Sequence, residues 1–148
     1  MIAIFAFWQP ISGIVWDVSH PLLGAVLQAI SAAGSLLLFI AAFLLNPFDL
    51  VGLRQVFLYW RNMPNEPLPF SEPILYRYVR HPIYVGTLMA LWFSPTMTVS
   101  RLLFNSLITI YILVGVRLEE RDLEDSLPEY REYKKRVPML IPRWSRKE

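Results

Sequence analysis

The sequence predicts an all-α integral membrane protein of about four transmembrane helices, the last two of which form a C-terminal helical hairpin. Three observations carry that reading. Of the 148 residues, 55% are hydrophobic and 18% charged, where a soluble domain carries about a quarter charged. The mean hydropathy is +0.39. The apolar residues form long uncharged runs, and Lys and Arg gather in one internal loop and in the tail. At this length the chain is read as one domain, residues 1–148.

The first apolar segment, residues 2–15, is broken by Pro10 and Gly13. It is short for a span, which takes about 20 apolar residues. It has neither the basic leader nor the cleavage site of a signal peptide. It is therefore read as the surviving part of a longer membrane helix, in a chain truncated at its N-terminus. Trp8 and Trp16 suit a membrane interface. The second segment, residues 22–45, is uncharged and closed by Asn46-Pro47. Its Gly24, Ser31, Gly34 and Ser35 are small enough to admit a neighbouring helix. The third segment, 82–100, is interrupted by Ser94-Pro95-Thr96, and the fourth is 102–116. The hairpin tip falls at residues 95–101, where Arg101 can snorkel to the interface.

Orientation follows from the cations. The loop 46–81 holds Arg54, Arg61, Arg77 and Arg80, and the tail 117–148 holds Arg117, Arg121, Arg131, Lys134, Lys135, Arg136, Arg143, Arg146 and Lys147. The loop 17–21 holds none and the tip only Arg101. The positive-inside rule places loop and tail in the cytosol. Within the loop, residues 48–59 read as an interfacial amphipathic stretch. Residues 63–73 carry four prolines and form either a lid or a plain connector.

Composition also excludes. There is no Cys, hence no disulfide, thiolate metal site or catalytic thiol. Two histidines, His20 and His81, nearly exclude a His-rich metal site; carboxylate ligands could serve in principle, and no metal is assigned. The net charge of +2 hides an uneven layout that concerns topology, so the expected partner is the lipid bilayer and no nucleic acid.

Two constellations can carry chemistry. In 75–86, Arg77, Arg80 and His81 supply cations and donors, Pro82 suits a first helical turn, and Gly86 lets a ligand or another helix approach the backbone. Such a helix start suits a carboxylate or phosphate; it equally suits an interfacial anchor. In 117–124, Glu119 and Glu120 stand where the fourth segment leaves the membrane. Adjacent carboxylates there need ion pairs or a cationic ligand; a solvated helix with internal pairs is the alternative. The hairpin brings both to one membrane face. Together they would suit the ammonium, carboxylate and sulfonium of S-adenosylmethionine. Tyr76, Tyr78, Tyr84, Trp92, Tyr111, Tyr130 and Tyr133 could supply aromatic faces to the sulfonium.

Arg80-His-Pro-Ile-Tyr-Val-Gly86, Leu118-Glu-Glu-Arg-Asp-Leu123 and Tyr130-Arg-Glu-Tyr-Lys-Lys-Arg-Val-Pro138 resemble the isoprenylcysteine carboxyl methyltransferase and phospholipid methyltransferase superfamily of membrane enzymes. The resemblance implies S-adenosylmethionine as cofactor, held by the cytosolic tail and hairpin ends. It implicates Arg80, His81, Pro82, Tyr84, Gly86, Glu119 and Glu120, with Tyr130 and Tyr133 nearby. His81, Tyr84 and Glu120 are the catalytic candidates. Phe7-Trp-Gln-Pro-Ile-Ser-Gly-Ile-Val-Trp-Asp17, Trp92-Phe-Ser-Pro-Thr-Met-Thr-Val99 and Arg136-Val-Pro-Met-Leu-Ile-Pro142 look like the bacterial methanethiol S-methyltransferase subgroup. The implied reaction is methyl transfer to a small thiol substrate, methanethiol, giving dimethyl sulfide at the cytosolic face of a bacterial inner membrane. Trp92, Phe93 and Met97 would line a small acceptor pocket or pack the core. The alternatives are another thiol, an isoprenylcysteine or a lipid amine as acceptor. Others are a non-catalytic membrane subunit, a small transporter, or an NADPH-dependent membrane reductase.

Overall fold

Twenty-four residues without a charge build the first helix, α1 (Pro21–Leu44). Pro21 stands at its start, and His20 caps it by accepting the Leu23 N–H at 3.4 Å. At 1.5 Å per residue it rises about 36 Å, enough for a bilayer core of about 30 Å. The structure, a computed structural model, describes residues 11–45, 52–64 and 71–142. Beyond α1 it contains α2 (Leu53–Trp60), a 3₁₀ turn (Ile74–Arg77), α3 (Pro82–Trp92), α4 (Val99–Ser126) and α5 (Pro128–Arg136). Two short strands, β1 (Ile14–Asp17) and β2 (Thr96–Thr98), complete the elements.

Among the described residues, α1 and α4 are long and apolar enough to cross a membrane. Four such helices were expected, and the differences have local causes. Residues 2–10 of the first expected segment lie outside the described residues. Its end is a strand, not a helix. Ile14 and Val15 are β-branched, and Gly13 takes φ +125, which bars helix. A Cβ on Gly13 would also meet Val99 Cγ2 at 3.0 Å, so a side chain there is strained by its backbone and crowded besides. β1 pairs antiparallel with β2, Ile14 opposite Thr98 and Asp17 opposite Thr96, with a bulge before Trp16. The third expected segment stops at Trp92, eleven residues and about 16 Å long. The Ser94-Pro95 break ends it, and Pro95 O then accepts the Val18 N–H at 3.0 Å while Ser94 O accepts Trp16 Nε1 at 3.2 Å. The hairpin tip is thus a strand pair that closes onto β1. The fourth segment continues as helix to Ser126, past its apolar part ending at Val116, so Glu119 and Glu120 sit on a rigid helical extension. Of the expected amphipathic stretch, 53–60 is helical and exposes Val56, Phe57, Tyr59 and Trp60; residues 48–51 lie outside the described residues.

α3 packs against α1 through glycines. A Cβ on Gly34 would lie 2.5 Å from Met89 Cβ and 2.9 Å from Gly86 O; one on Gly86 would lie 2.6 Å from Gly34 O. Ser31 adds a hydrogen bond to Ala90 O at 2.9 Å. Close backbone approach of this kind is how helices associate where lipid removes the hydrophobic drive. α3 is tied to α4 by Asn105, fully buried, whose Nδ2 donates to Leu91 O at 2.7 Å, and by Trp92 Nε1 donating to Thr109 Oγ1 at 2.9 Å. Leu36, Phe39, Phe43, Leu107 and Ile110 stay exposed, as suits faces turned to lipid.

Gly34→Ala and Gly86→Ala should each cost about 1–3 kcal/mol, because the added methyl meets backbone that cannot yield. Gly115, with nothing within 4 Å of a built Cβ, should tolerate Ala without loss. Thermal midpoints in one detergent check all three.

Candidate functional site

The polar end of α4 meets the N-terminus of α3, and α5 folds back over both. Pro82 starts α3 and leaves the Arg80 and His81 N–H groups outside the helix ladder. The tail takes them: Arg80 N donates to Pro138 O at 2.9 Å and His81 N to Met139 O at 3.2 Å. Two residues of tail are thereby paired with the start of the Arg-His-Pro motif.

Glu120 is the hub. Its side chain is 7% exposed, and Arg80, 8% exposed, holds Oε1 with Nε and Nη2, each at 2.8 Å. His81 Nε2 lies 3.1 Å from the same oxygen, and Lys134 Nζ lies 3.2 Å from Oε2. Lys134 also bridges to Glu124. Arg80 Nη1 donates to Lys134 O and Val137 O, both at 2.8 Å, closing the C-terminus of α5. Of the five guanidinium N–H groups, these contacts leave one. Burial pushes the Glu120 carboxyl up, but the Lys134 hydrogen bond, the Arg80 charge and the His81 and Arg80 hydrogen bonds outweigh it and hold it below the usual carboxylate range.

Glu119 is different. It is 48% exposed, it accepts from Tyr84 OH at 3.3 Å, and its Oε2 lies 3.9 Å from His81 Nδ1. The His81 and Tyr84 rings stack at 5.6 Å and 25°. These three groups face a cavity of about 390 Å³ that Arg80, Tyr76, Tyr130 and Tyr133 also line. That volume lies within the range of small-molecule sites, about 300–1,000 Å³. Tyr133 OH donates to Tyr76 O at 2.6 Å, and Tyr76 OH to Ala41 O at 3.3 Å, which ties α5 to the end of α1. Burial, with Glu72 adding to it, pushes the Tyr133 phenol up to about 12, so it remains a donor at neutral pH.

The structure thus brings Arg80, His81, Tyr84, Glu119, Tyr130 and Tyr133 to one cavity. Glu120 stands behind the wall, and Pro82 is buried at the helix start. Gly86 faces α1, so of the two approaches its missing side chain permits, another helix occupies this one. Met97 is fully buried core. Lys134 was not singled out by the sequence, although it follows Tyr130 by one turn and so shares its helix face. Trp92 and Phe93 line a separate apolar groove of about 690 Å³, with Val85, Leu88 and Met89 of α3 on one side and Pro138–Pro142 on the other.

A helical protein with two helices long and apolar enough to cross a membrane, and a carboxylate- and tyrosine-lined cavity at their polar end, is the class so defined. The chain belongs to the family described as "Protein of unknown function (DUF1295)", which residues 2–137 match. It is 46% identical over 147 residues to methanethiol S-methyltransferase 1 of Bradyrhizobium diazoefficiens, covering 99% of this chain and 51% of that one. It is 43% identical to the methanethiol S-methyltransferase of Crocosphaera subtropica, covering 96% and 56%. Nurim of Xenopus laevis is 31% identical over 80% of this chain and 45% of its own. The chain spans about half the length of the curated relatives it matches. No solved structure matches it.

Glu120→Ala should cost about 3–5 kcal/mol, since it leaves a buried guanidinium unpaired. Glu119→Ala, half-exposed, should stay within about 1 kcal/mol. Denaturant unfolding in detergent compares them. Because the folded Glu120 carboxyl is held low, its stabilisation is present above the unfolded value of 4.5 and is lost as pH falls through the folded one. Stability should therefore drop below about pH 4.5, and Glu120→Gln should flatten that drop.

Proposed function

We propose that the chain is the S-adenosylmethionine-dependent methyl-transfer unit of a thiol S-methyltransferase, with methanethiol as acceptor and dimethyl sulfide as product. The observation that carries this reading is the cavity beside the stacked His81–Tyr84 pair. It offers one partly exposed carboxylate, Glu119, amid four phenols. A carboxylate with aromatic faces suits a ligand that bears an ammonium and a sulfonium. The names of the relatives support the acceptor.

S-adenosylmethionine, when bound, supplies an electrophilic methyl on sulfur. Glu119 holds its cationic part, and the last N–H of Arg80 is available to its carboxylate. Tyr76, Tyr130 and Tyr133 close the cavity against water, and Glu120 keeps Arg80, His81 and α5 in position. A thiol is nucleophilic and partly ionised near neutral pH, so orientation can do most of the work. His81 is the group placed to receive the thiol proton, while the Tyr84 phenol, which donates to Glu119, orients that carboxylate. Four crossings, with loop, tail and cavity on the cytosolic face of a bacterial inner membrane, complete the proposal, in line with the placement of Lys and Arg.

The apolar groove favours a second reading, a larger alkyl or lipid thiol as acceptor. Val85 starts it one turn from His81, and its volume far exceeds what a one-carbon thiol needs. Leu88→Trp should then reduce turnover of longer alkanethiols about tenfold or more while sparing methanethiol.

The test is headspace detection of dimethyl sulfide from membranes given methanethiol and S-adenosylmethionine, with calorimetric binding of S-adenosylmethionine alongside. The parent should bind and produce. Glu119→Gln, folding normally, should lose about tenfold in cofactor affinity. Binding without product would remove the acceptor and keep the methyltransferase. A folded chain that does not bind would remove both.

A further inference from the structure

The hairpin tip carries a second polar recess, for which methyl transfer has no use. It has a volume of about 260 Å³ and is lined by Gln28 and Ser31 of α1, Ser94 and Thr96 of the tip and Arg101 of α4. Nineteen residues of α4 separate Arg101 from Glu120, about 29 Å along the axis. The recess therefore lies one bilayer core away from the candidate site.

Its hydrogen-bond donors sort themselves. Ser31 donates to Ala90 O at 2.9 Å, Ser94 to Thr96 O at 2.8 Å, and Thr96 to Asp17 Oδ1 at 2.7 Å. These hydroxyl protons are committed. Asp17, the nearby carboxylate, is not among the residues lining the recess. Arg101 forms no ion pair among the described residues. Gln28 is the single amide side chain of α1, whose other polar side chains are Ser31 and Ser35. The donors left for a ligand are thus a guanidinium and a carboxamide, the pair that suits an anionic oxygen cluster. Both side chains are exposed and so accessible to a ligand.

We propose that this recess binds an anionic phosphate group through Arg101 and Gln28. A phospholipid head group and free phosphate share that chemistry. This site is independent of the methyl-transfer reading.

Native mass spectrometry of the detergent-purified chain tests it, with phosphatidylglycerol, phosphatidylcholine and inorganic phosphate as probes. Phosphatidylglycerol should be retained in preference to phosphatidylcholine. Arg101→Gln should weaken that retention about tenfold, and Gln28→Leu should weaken it less. Lys135→Gln, in the basic tail, should leave it unchanged, which separates the recess from general attraction to cations. Retention of phosphatidylglycerol but not inorganic phosphate assigns a lipid; retention of inorganic phosphate alone, abolished in Arg101→Gln, assigns a free anion. Both outcomes support the recess. Equal retention by parent and Arg101→Gln, at unchanged thermal midpoint, overturns it.

Discussion

A carboxylate that is 7% exposed must be neutralised, and the polar half of this protein is arranged around that requirement at Glu120. Its three partners come from two separate places: Arg80 and His81 before α3, and Lys134 on α5. Meeting them fixes the start of α3 against the end of α4 and folds α5 over the top. Arg80 extends the arrangement by holding Lys134 O and Val137 O, so the same guanidinium binds the hub and the tail. Removing either partner leaves a buried charge, which is why the pair governs geometry more than it adds net stability.

With that scaffold in place, the adjacent residue is free for another task. Glu119 lies one residue from Glu120, on a different helix face, and reaches the cavity beside Tyr84. The two acidic residues of one motif thereby divide: one holds the wall, the other faces the space. At the other end, the glycine contact between α1 and α3 and the buried Asn105 set how the short α3 stands between two long helices. A rigid α3 carries Tyr84 at a defined height above the polar hub.

Much of this was legible in the sequence, for identifiable reasons. The uncharged run of α1 and the motif at 80–86 are local signals, and the cations and carboxylates at the hairpin ends imply partners for each other. The strand pair was not legible. Ile14 and Val15 look like the end of an apolar segment, and the strand partner that completes them, Thr96–Thr98, lies some eighty residues away. The third segment, expected over 82–100 with an interruption at Ser94-Pro95-Thr96, is helical only to Trp92, and Pro95 O accepts the Val18 N–H instead of continuing a helix. The roles of Glu119 and Glu120 were indistinguishable from spacing, since burial separates them and burial depends on α5. Lys134 resembled the other tail cations until the fold brought it to Glu120.

Direct ultraviolet labelling with radiolabelled S-adenosylmethionine, followed by peptide mapping, tests the account most directly. Label competed by S-adenosylhomocysteine and confined to peptides carrying residues 76–84, 119–123 or 130–133 is the expected result. Label confined to the groove residues 85–93 and 138–142, or no competable label on a folded chain, would contradict it.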